Sequence, residues 1–408
     1  MEQPQALPAA PPPRRALRVK VAFALIYLFF MSARAIFNPF LTVYLQEKGL
    51  SVQWIGLVMG FNSAVILVAQ PFWGIVSDRL RSVKTALVLC LVGQGLASLL
   101  LVPLQAFVVI AVGFCAYTFF SSAENSLLDI WSLHSLKEVG DNRSVGQLKL
   151  WGCLGFAASS VLAGLFLQRH NTTQILPLFA AVLIALGVVV FLLPLNARRE
   201  QPVRVRDLGL RKILHNRTFL VFLVFVVVMQ FPHRAAYTFY PALLASLGGT
   251  KEMVGYCSAI MFVSEAVLLT LSRRLLARLP ARTLICASAA FFLLWQLGYA
   301  FASRPTDLLF LSALDGPSYA LFTIGTLYYL DSIATDALRT TYQTIAYACY
   351  FGLAGIVGNV LGGWLIGAVG YRNLYLIGAA VILVSTVVFW LAGRRPAAHN
   401  ETTEELIP

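Results

Sequence analysis

The stretch Gly74-Ile-Val-Ser-Asp78-Arg79-Leu-Arg81-Ser-Val-Lys84 indicates how the rest of the chain folds. It lies between two apolar runs, residues 54–73 and 85–104, which are each long enough to cross a bilayer as a helix. We expect Gly74 to let two helices approach closely, and Asp78 to cap a helix end or pair with a neighbouring cation. The three basic residues keep this turn on the cytoplasmic side, as they would in any ordinary basic loop.

The composition is that of a polytopic membrane protein. Of 408 residues, 59% are hydrophobic and only 12% are charged, which is more apolar surface than a soluble domain can bury. The net charge of +13 has a topological cause, because 24 of the 31 Lys and Arg residues fall in alternate exposed segments and only five in the opposite ones. This asymmetry predicts that both termini are cytoplasmic. We find no nucleic-acid-binding motif, and the charge does not require one.

No arrangement for cofactor binding or catalysis is recognisable in the sequence. The six cysteines lie in apolar runs, and no two of them have metal-binding or redox spacing. There is no phosphate-binding loop, and no Ser/His, paired-Asp or metal-ligand set at helical spacing. We therefore expect no metal, nucleotide or prosthetic group, and no enzyme activity.

The hydrophobic pattern predicts an all-α membrane protein with twelve transmembrane helices in two six-helix halves. The N-terminal half is residues 19–195, with spans at 19–46, 52–76, 84–104, 106–133, 148–168 and 175–195. The C-terminal half is residues 218–393, with spans at 218–245, 252–274, 283–301, 306–332, 339–368 and 373–393. A basic cytoplasmic linker, 196–217, joins the halves, and residues 1–18 and 394–408 are predicted to be disordered cytoplasmic tails.

The two halves repeat each other. Arg34 precedes Gly49 by 15 residues (49 − 34), and Arg234 precedes Gly249 by the same 15 (249 − 234). Two related six-helix halves around a central cavity form a transporter architecture in which the substrate binds near the midplane of the bilayer.

The order Gly74-x-x-x-Asp78-Arg79, followed by Lys84, resembles the loop signature of the major facilitator superfamily between its second and third helices. In that family the loop latches the cytoplasmic gate, so the resemblance implies gating roles for Gly74, Asp78 and Arg79. The sequence departs from the signature at two positions. Arg81 stands where the family usually has glycine, and Val83 stands where it has a basic residue.

Two further segments resemble one branch of the superfamily, which includes lactose permease, the nucleoside–proton symporters and the phenylpropionate permease. Residues 145–156 resemble a fifth-helix motif of this branch, although Lys149 replaces its usual arginine, and residues 350–363 resemble its glycine-rich eleventh helix. The branch carries sugars, nucleosides and aromatic acids, so the resemblance implies the fold but no particular substrate.

Ionisable residues inside the spans are candidate functional residues, because a charge at the bilayer centre costs at least about 2.5–3.5 kcal/mol. By resemblance, His233 and Glu265 fall where the branch often has a histidine and a glutamate, and Asp315 stands where it often has histidine. We predict that Glu265 and Asp315 couple transport to protons, since a carboxyl group in an apolar cavity can carry one. A fixed ion pair is the alternative. His233 either contacts the substrate or has a structural role.

Arg34 and Arg234 occupy equivalent positions in the two halves, on helices that line the cavity in this fold. Two arginines at one cavity would bind a carboxylate or phosphate through paired hydrogen bonds. The organophosphate–phosphate antiporters of the superfamily place an arginine on each of the same two helices. Alternatively, Glu124, Glu265 or Asp315 neutralises the arginines internally.

Further candidate substrate contacts are Glu124 and Lys149, which we expect to form an interhelical charge group with Asp129. Lactose permease binds its sugar through acidic and basic residues on the same two helices. Tyr237 is another candidate. The remaining cavity candidates are Tyr240, Trp151 and Gln296, although aromatic residues in apolar helices more often serve packing.

The sequence therefore resembles a secondary active transporter of the major facilitator superfamily. We expect a monomeric symporter that takes up a small organic solute, which its arginines suggest is anionic, with protons across the cytoplasmic (inner) membrane by alternating access. Proton-driven efflux of drugs or metabolites is the alternative. A non-transporting sensor on the same fold is a third interpretation, against which the short tails argue.

Overall fold

The computed structural model describes residues 13–103, 106–140, 145–195, 216–276, 279–334 and 339–392, which are almost entirely helical. The N-terminal half contains helices α1–α6, several of which are interrupted by short turns. Helix α1 is Pro13–Phe37, which continues through a 3₁₀ turn at Asn38–Phe40 into Leu41–Glu47. The others are α2 (Val52–Arg79), α3 (Val83–Leu100), α4 (Phe107–Ser121 and Glu124–Glu138), α5 (Val145–Gln168) and α6 (the 3₁₀ turn Thr172–Ile175 and Leu176–Leu192).

The C-terminal half contains helices α7–α12. The first four are α7 (Arg217–Ser246), α8 (Lys251–Leu276), α9 (Ala281–Phe301) and α10 (Pro305–Leu311, the 3₁₀ turn Ser312–Leu314 and Asp315–Ile333). Helix α11 consists of Arg339–Tyr347, a π-helical segment at Ala348–Leu353, and the first part of Ala354–Ala392. Gly370 interrupts this last helix with φ 80° and ψ 171°, and α12 is the part that follows it. Only glycine adopts such a conformation without strain.

The predicted twelve-span architecture is confirmed. Eleven continuous helical stretches among the described residues are long and apolar enough to cross a membrane, and the last of them, Tyr342–Leu391, is 50 residues long. Because that stretch contains the break at Gly370, it supplies two crossings, α11 and α12. Each half thus has six membrane-spanning helices.

One predicted boundary is corrected, and others lie outside the described residues. Helix α1 begins at Pro13, so residues 13–18 are helical and do not belong to the predicted tail. Proline is favoured in the first turn of a helix, and the residues that follow it, Arg-Arg-Ala-Leu-Arg, are good helix formers. Residues 196–215 of the predicted linker, the first twelve residues and the predicted tail at 394–408 lie outside the described part of the chain.

The two halves meet along two antiparallel helix pairs, α2 with α11 and α5 with α8, and glycines bring the backbones together in both. A Cβ atom on Gly56 would lie 3.0 Å from the Cα of Gly363, and a Cβ on Gly164 would lie 3.3 Å from the Cα of Gly255. Gly255 follows Gly56 by 199 residues (255 − 56), and Gly363 follows Gly164 by the same number (363 − 164). The two contacts are therefore equivalent under the pseudo-two-fold symmetry of the halves.

Both glycine contacts lie towards one end of the bundle, which we call the Glu47 end; the opposite end is the Asp78 end. At the Glu47 end the Lys251 ammonium forms an ion pair with Glu47 across the halves. The Thr42 hydroxyl also donates a hydrogen bond of 2.6 Å to the carbonyl oxygen of Thr238. These polar contacts and the glycine contacts hold the two halves together at this end.

The expectation that Gly74 brings two helices together is wrong for this structure. A Cβ atom at Gly74 would meet nothing within 4 Å, whereas the close approach of α2 to α11 occurs at Gly56. The two glycines are 18 residues apart (74 − 56), which is about 27 Å along a helix. Helices that touch at one end and cross at an angle diverge over such a length.

Arg81 ends α2 in a conformation that normally requires glycine. Its φ is 49°, in the left-handed region. The amide of Arg81 donates to the carbonyl of Asp78 at 3.1 Å, and the amide of Ser82 donates to the carbonyl of Ser77 at 3.3 Å. These two bonds define a Schellman motif, whose left-handed position is usually occupied by glycine. The departure from the family signature at this position therefore introduces backbone strain.

Candidate functional site

The first interior charge cluster lies in the N-terminal half, around Glu124 at the start of the second segment of α4. An Arg34 nitrogen, Nη1, lies 3.8 Å from Oε2 of Glu124, which is fully buried. The amide nitrogen of Gln94 lies 2.8 and 3.0 Å from the two carboxylate oxygens when its amide is oriented to satisfy both groups. Arg34 therefore has an internal counter-charge, which is one of the two alternatives that the sequence left open.

The second cluster joins α1, α4 and α5. Lys149 Nζ donates to a carboxylate oxygen of Asp129 at 2.7 Å, and the Tyr27 hydroxyl donates to the other oxygen at 2.6 Å. Glu124 does not join this cluster, so the predicted three-residue charge group is corrected to the pair Asp129–Lys149. Five helical positions separate Glu124 from Asp129, and this spacing turns their side chains to different faces of α4.

The third cluster is buried in the C-terminal half. His233 Nε2 lies 2.8 Å from Oδ1 of Asp315, and both side chains are almost completely buried. The His233 ring packs against Phe292 and Trp295, with ring centroids 4.3 and 5.5 Å away. Asp315 thus has a fixed partner on α7, which is the arrangement expected as the alternative to proton coupling.

Arg234 follows His233 on α7 but has a different environment. Its guanidinium carbon lies 4.4 Å from the ring centroid of Phe351, in the π-helical segment of α11. Its Nε and Nη2 atoms are buried and have no hydrogen-bond partner among the described residues. The structure therefore places Arg34 and Arg234 in unlike surroundings, although their positions in the two halves are equivalent.

Glu265 lies on α8 at the contact between the halves. One turn earlier on the same face, Phe262 stacks on Phe156 of α5, with centroids 3.6 Å apart and planes 15° from parallel. Lys149 of the N-terminal half and Asp315 of the C-terminal half both lie within electrostatic range of Glu265. In the part of the chain that the structure describes, Glu265 is half-buried and has no hydrogen bond or ion pair.

The remaining cavity candidates have different surroundings. Tyr237 lies beside His233, with ring centroids 6.2 Å apart, and the Tyr240 hydroxyl is hydrogen-bonded to Ser258 at 2.7 Å. Trp151 is half exposed, on the face of α5 opposite Lys149. Gln296 is buried against Gly378, within the C-terminal half. Trp151 and Gln296 therefore do not line the space between the halves with the interior charges.

Comparison with known proteins gives the family. Residues 21–377 match the MFS_1 like family. The chain belongs to this family. It is 27% identical over 387 residues to the maltose permease of Geobacillus stearothermophilus, covering 94% of this chain and 96% of the permease. It is also 27% identical over 288 residues to a probable 3-phenylpropionic acid transporter of Escherichia coli (strain K12), covering 65% of this chain and 70% of that protein.

The solved structures agree with this assignment at the level of the fold. The crystal structure of the nucleoside transporter NupG superimposes with a TM-score of 0.78 and 16% sequence identity. The superposition covers 94% of this chain and all of the NupG chain. The protein is thus a multi-pass membrane transporter of the major facilitator superfamily, and not an enzyme.

The predicted gating residues of this MFS_1 like transporter lie in the last turns of α2. Asp78 is half-buried and Arg79 is exposed, two and one residues before the C-cap at Leu80. Their position at the α2–α3 turn is the one that the family signature implies, and their latching role stays a prediction.

Sequence reasoning missed several polar residues of the site. Gln94 and Asn38 belong to the Glu124 cluster, where the Tyr117 hydroxyl donates to the Asn38 side chain at 2.6 Å. The candidates were mainly ionisable residues, but uncharged amides in apolar spans carry a similar signal, because they also require hydrogen-bond partners. The ion pair between Glu47 and Lys251 was missed because both residues lie at helix ends, where charges are common.

Proposed function

We propose that the protein is a secondary active transporter that moves a small organic solute together with protons by alternating access. Its place would be the cytoplasmic (inner) membrane, with both termini in the cytoplasm and the protein acting as a monomer. The basic residues at the Asp78 end support this orientation. In that orientation the Glu47 end, where the halves are joined, faces outward.

We infer proton coupling from the environment of Glu265. Among the interior acids that the structure describes, Glu124, Asp129 and Asp315 each contact a basic partner, whereas Glu265 has no hydrogen bond or ion pair. An acid without a fixed partner can exchange its proton with whichever side the cavity faces, because no ion pair must first be broken. Asp315, which is paired with His233, would act as a second group in the same relay.

A transport assay with proteoliposomes tests this proposal. The purified protein is reconstituted with a trapped pH-sensitive dye, and maltose, uridine and 3-phenylpropionate are each added under an imposed pH gradient. We expect at least one of them to accumulate and to move protons with it. Glu265→Gln should abolish gradient-driven accumulation but retain exchange of labelled for unlabelled solute, because only the protonation change is removed.

Glu252→Gln is the matched control, since it changes the same residue type at the outer end of the same helix. It should retain gradient-driven accumulation. Solute movement in the wild type without any proton movement would overturn the coupling. Full accumulation by Glu265→Gln would overturn the role of Glu265. Accumulation in intact cells distinguishes uptake from efflux.

A further inference from the structure

The guanidinium of Arg234 is a cation that lacks an anionic contact. Its Nε and Nη2 atoms, both buried and without a partner among the described residues, form the edge that matches the two oxygens of a carboxylate. Charged donors that are removed from water and left without acceptors are costly. Asp315 pairs with His233 at 2.8 Å, and no ion pair joins it to Arg234 among the described residues.

A second unsatisfied polar group lies one helical turn earlier on α7. Gln230 precedes Arg234 by four residues on α7, so the two side chains share a face of the helix. Gln230 is fully buried, and both its amide nitrogen and its amide oxygen have no hydrogen-bond partner in the described part of the chain. One face of α7 therefore presents three unpaired donor groups and one unpaired acceptor.

Aromatic rings face these groups from α11. Phe351, which the Arg234 guanidinium stacks on, lies 4.2 Å from Tyr350 and 6.2 Å from Tyr347, measured between ring centroids. The Tyr319 hydroxyl of α10 lies at hydrogen-bonding range of the Arg234 side chain, and Tyr350 lies within electrostatic range of the guanidinium. The rings thus form an apolar wall with polar tips next to a cation that has no anionic partner among the described residues.

The aromatic wall is built on an unusual backbone at the contact between the halves. Residues Ala348–Leu353 are π-helical, a rare conformation that frequently occurs at functional sites. The next residue after Phe351, Gly352, lies against Leu67 of α2, so that a Cβ there would overlap the Leu67 side chain. The ring positions therefore depend on how the two halves are packed together.

The equivalent position in the other half is already neutralised. Arg34 has Glu124 at 3.8 Å, and Gln94 satisfies the same carboxylate. A phosphate dianion would be expected to draw on both arginines, whereas a monocarboxylate needs one. A neutral sugar would leave the Arg234 edge without a charged partner.

We propose that Arg234 binds the carboxylate of a small aromatic monocarboxylic acid, whose ring packs against the partly exposed rings of Tyr347 and Phe351. Gln230 supplies a further hydrogen bond to the acid. This inference rests on the proposed function as a solute transporter and names its substrate class. It does not depend on proton coupling, because it concerns equilibrium binding.

The test measures binding to the purified full-length protein by calorimetry, without a gradient. The probe is 3-phenylpropionate, compared with its neutral amide, 3-phenylpropanamide, and with hexanoate, inorganic phosphate and maltose. We expect the acid to bind the wild type and the amide to bind at least about tenfold more weakly, since the charged hydrogen bonds are lost. Hexanoate should bind more weakly than 3-phenylpropionate because it cannot stack on the rings.

Variants locate the site. Arg234→Gln should weaken binding of 3-phenylpropionate by about 10- to 100-fold, and Arg234→Lys by less, because it keeps the charge but loses the paired hydrogen bonds. Arg372→Gln is the matched control, because the Arg372 guanidinium also stacks on an aromatic ring, that of Phe301, at 5.1 Å. Arg372 belongs neither to α7 nor to the π-helical segment. It should bind the probe like the wild type.

Equal affinities for the acid and its amide, or unchanged binding of the acid by Arg234→Gln, would overturn the inference. So would binding of maltose or phosphate but not of the acid. If Arg234→Gln does not fold, the affinities of the wild type for the acid and for the amide still test whether the carboxylate charge is recognised. Binding of the acid with no proton movement in the proteoliposome assay would refute proton coupling alone.

Discussion

Replacing Gly56 by alanine tests whether the glycine contacts keep the Glu47 end closed. A Cβ atom at this position would lie 3.0 Å from the Cα of Gly363 and 3.2 Å from its amide nitrogen, and closer still to the carbonyl oxygen of Asn359. All three are backbone atoms of α11, which cannot turn aside as a side chain can. The new methyl group therefore forces α2 away from α11.

The magnitude follows from two opposing effects. Overpacking of this kind costs about 1–3 kcal/mol, and replacing a glycine inside a helix by alanine gains about 1 kcal/mol. The helix gain applies to every state in which α2 is folded, whereas the overlap exists only while the Glu47 end is closed. The closed population should therefore fall by about 5- to 150-fold relative to the open one.

The assay uses a cysteine at Thr42 in a variant whose six native cysteines are replaced. Thr42 is almost completely buried and is hydrogen-bonded across the halves. A membrane-impermeant maleimide reaches it only when the Glu47 end opens. We expect Gly56→Ala to increase the labelling rate severalfold or more.

Gly187→Ala is the control, because the nearest atom to its Cβ would be a side-chain carbon of Val92, at 3.0 Å and within the same half. That side chain can shift, so labelling at Thr42 should stay at the parent rate. Equal labelling rates for Gly56→Ala and Gly187→Ala would refute the reasoning.

Further substitutions test three local features of the structure. Arg81→Gly should maintain or raise the melting temperature in detergent, and Arg81→Val should lower it. The reason is that the left-handed backbone at this position costs a non-glycine residue about 1 kcal/mol. A lower melting temperature for Arg81→Gly would show that the backbone at Arg81 is not strained. Glu47→Gln removes the ion pair with Lys251, and because the two side chains are 23% and 27% exposed, it should weaken closure by no more than about 1 kcal/mol. Lys251→Gln added to it also removes the hydrogen bond of 2.9 Å to the carbonyl of His170 across the halves, so it should increase labelling again by a small factor; a decrease would contradict these contacts. Glu124→Gln leaves the Arg34 cation without its counter-charge and should reduce the free energy of unfolding by about 1–3 kcal/mol. Adding Arg34→Gln should recover part of this loss. If it recovers none, the loss does not come from the broken Arg34–Glu124 pair.

The sequence determined the number and position of the spans. A helix needs about 20 apolar residues to cross a bilayer, and the runs of about this length are separated by short polar loops or, between the halves, by the linker 196–217. The internal repeat was also visible, because Arg34 and Arg234 stand at equal distances from Gly49 and Gly249. Interior charges such as Glu265 could be found for the same reason, since each is an exception in an apolar segment.

The tertiary structure decided which interior groups are paired. Glu124 contacts Arg34 and not Lys149, because the rotation of α4 turns Glu124 towards α1 and Asp129 towards α5. Pairing depends on helix rotation and on the approach of helices far apart in the chain, neither of which a hydropathy pattern contains. Arg34 and Arg234 occupy equivalent positions in the sequence, but their surroundings differ for this reason. Arg34 has a counter-charge, whereas Arg234 has an aromatic ring and two donor atoms without partners.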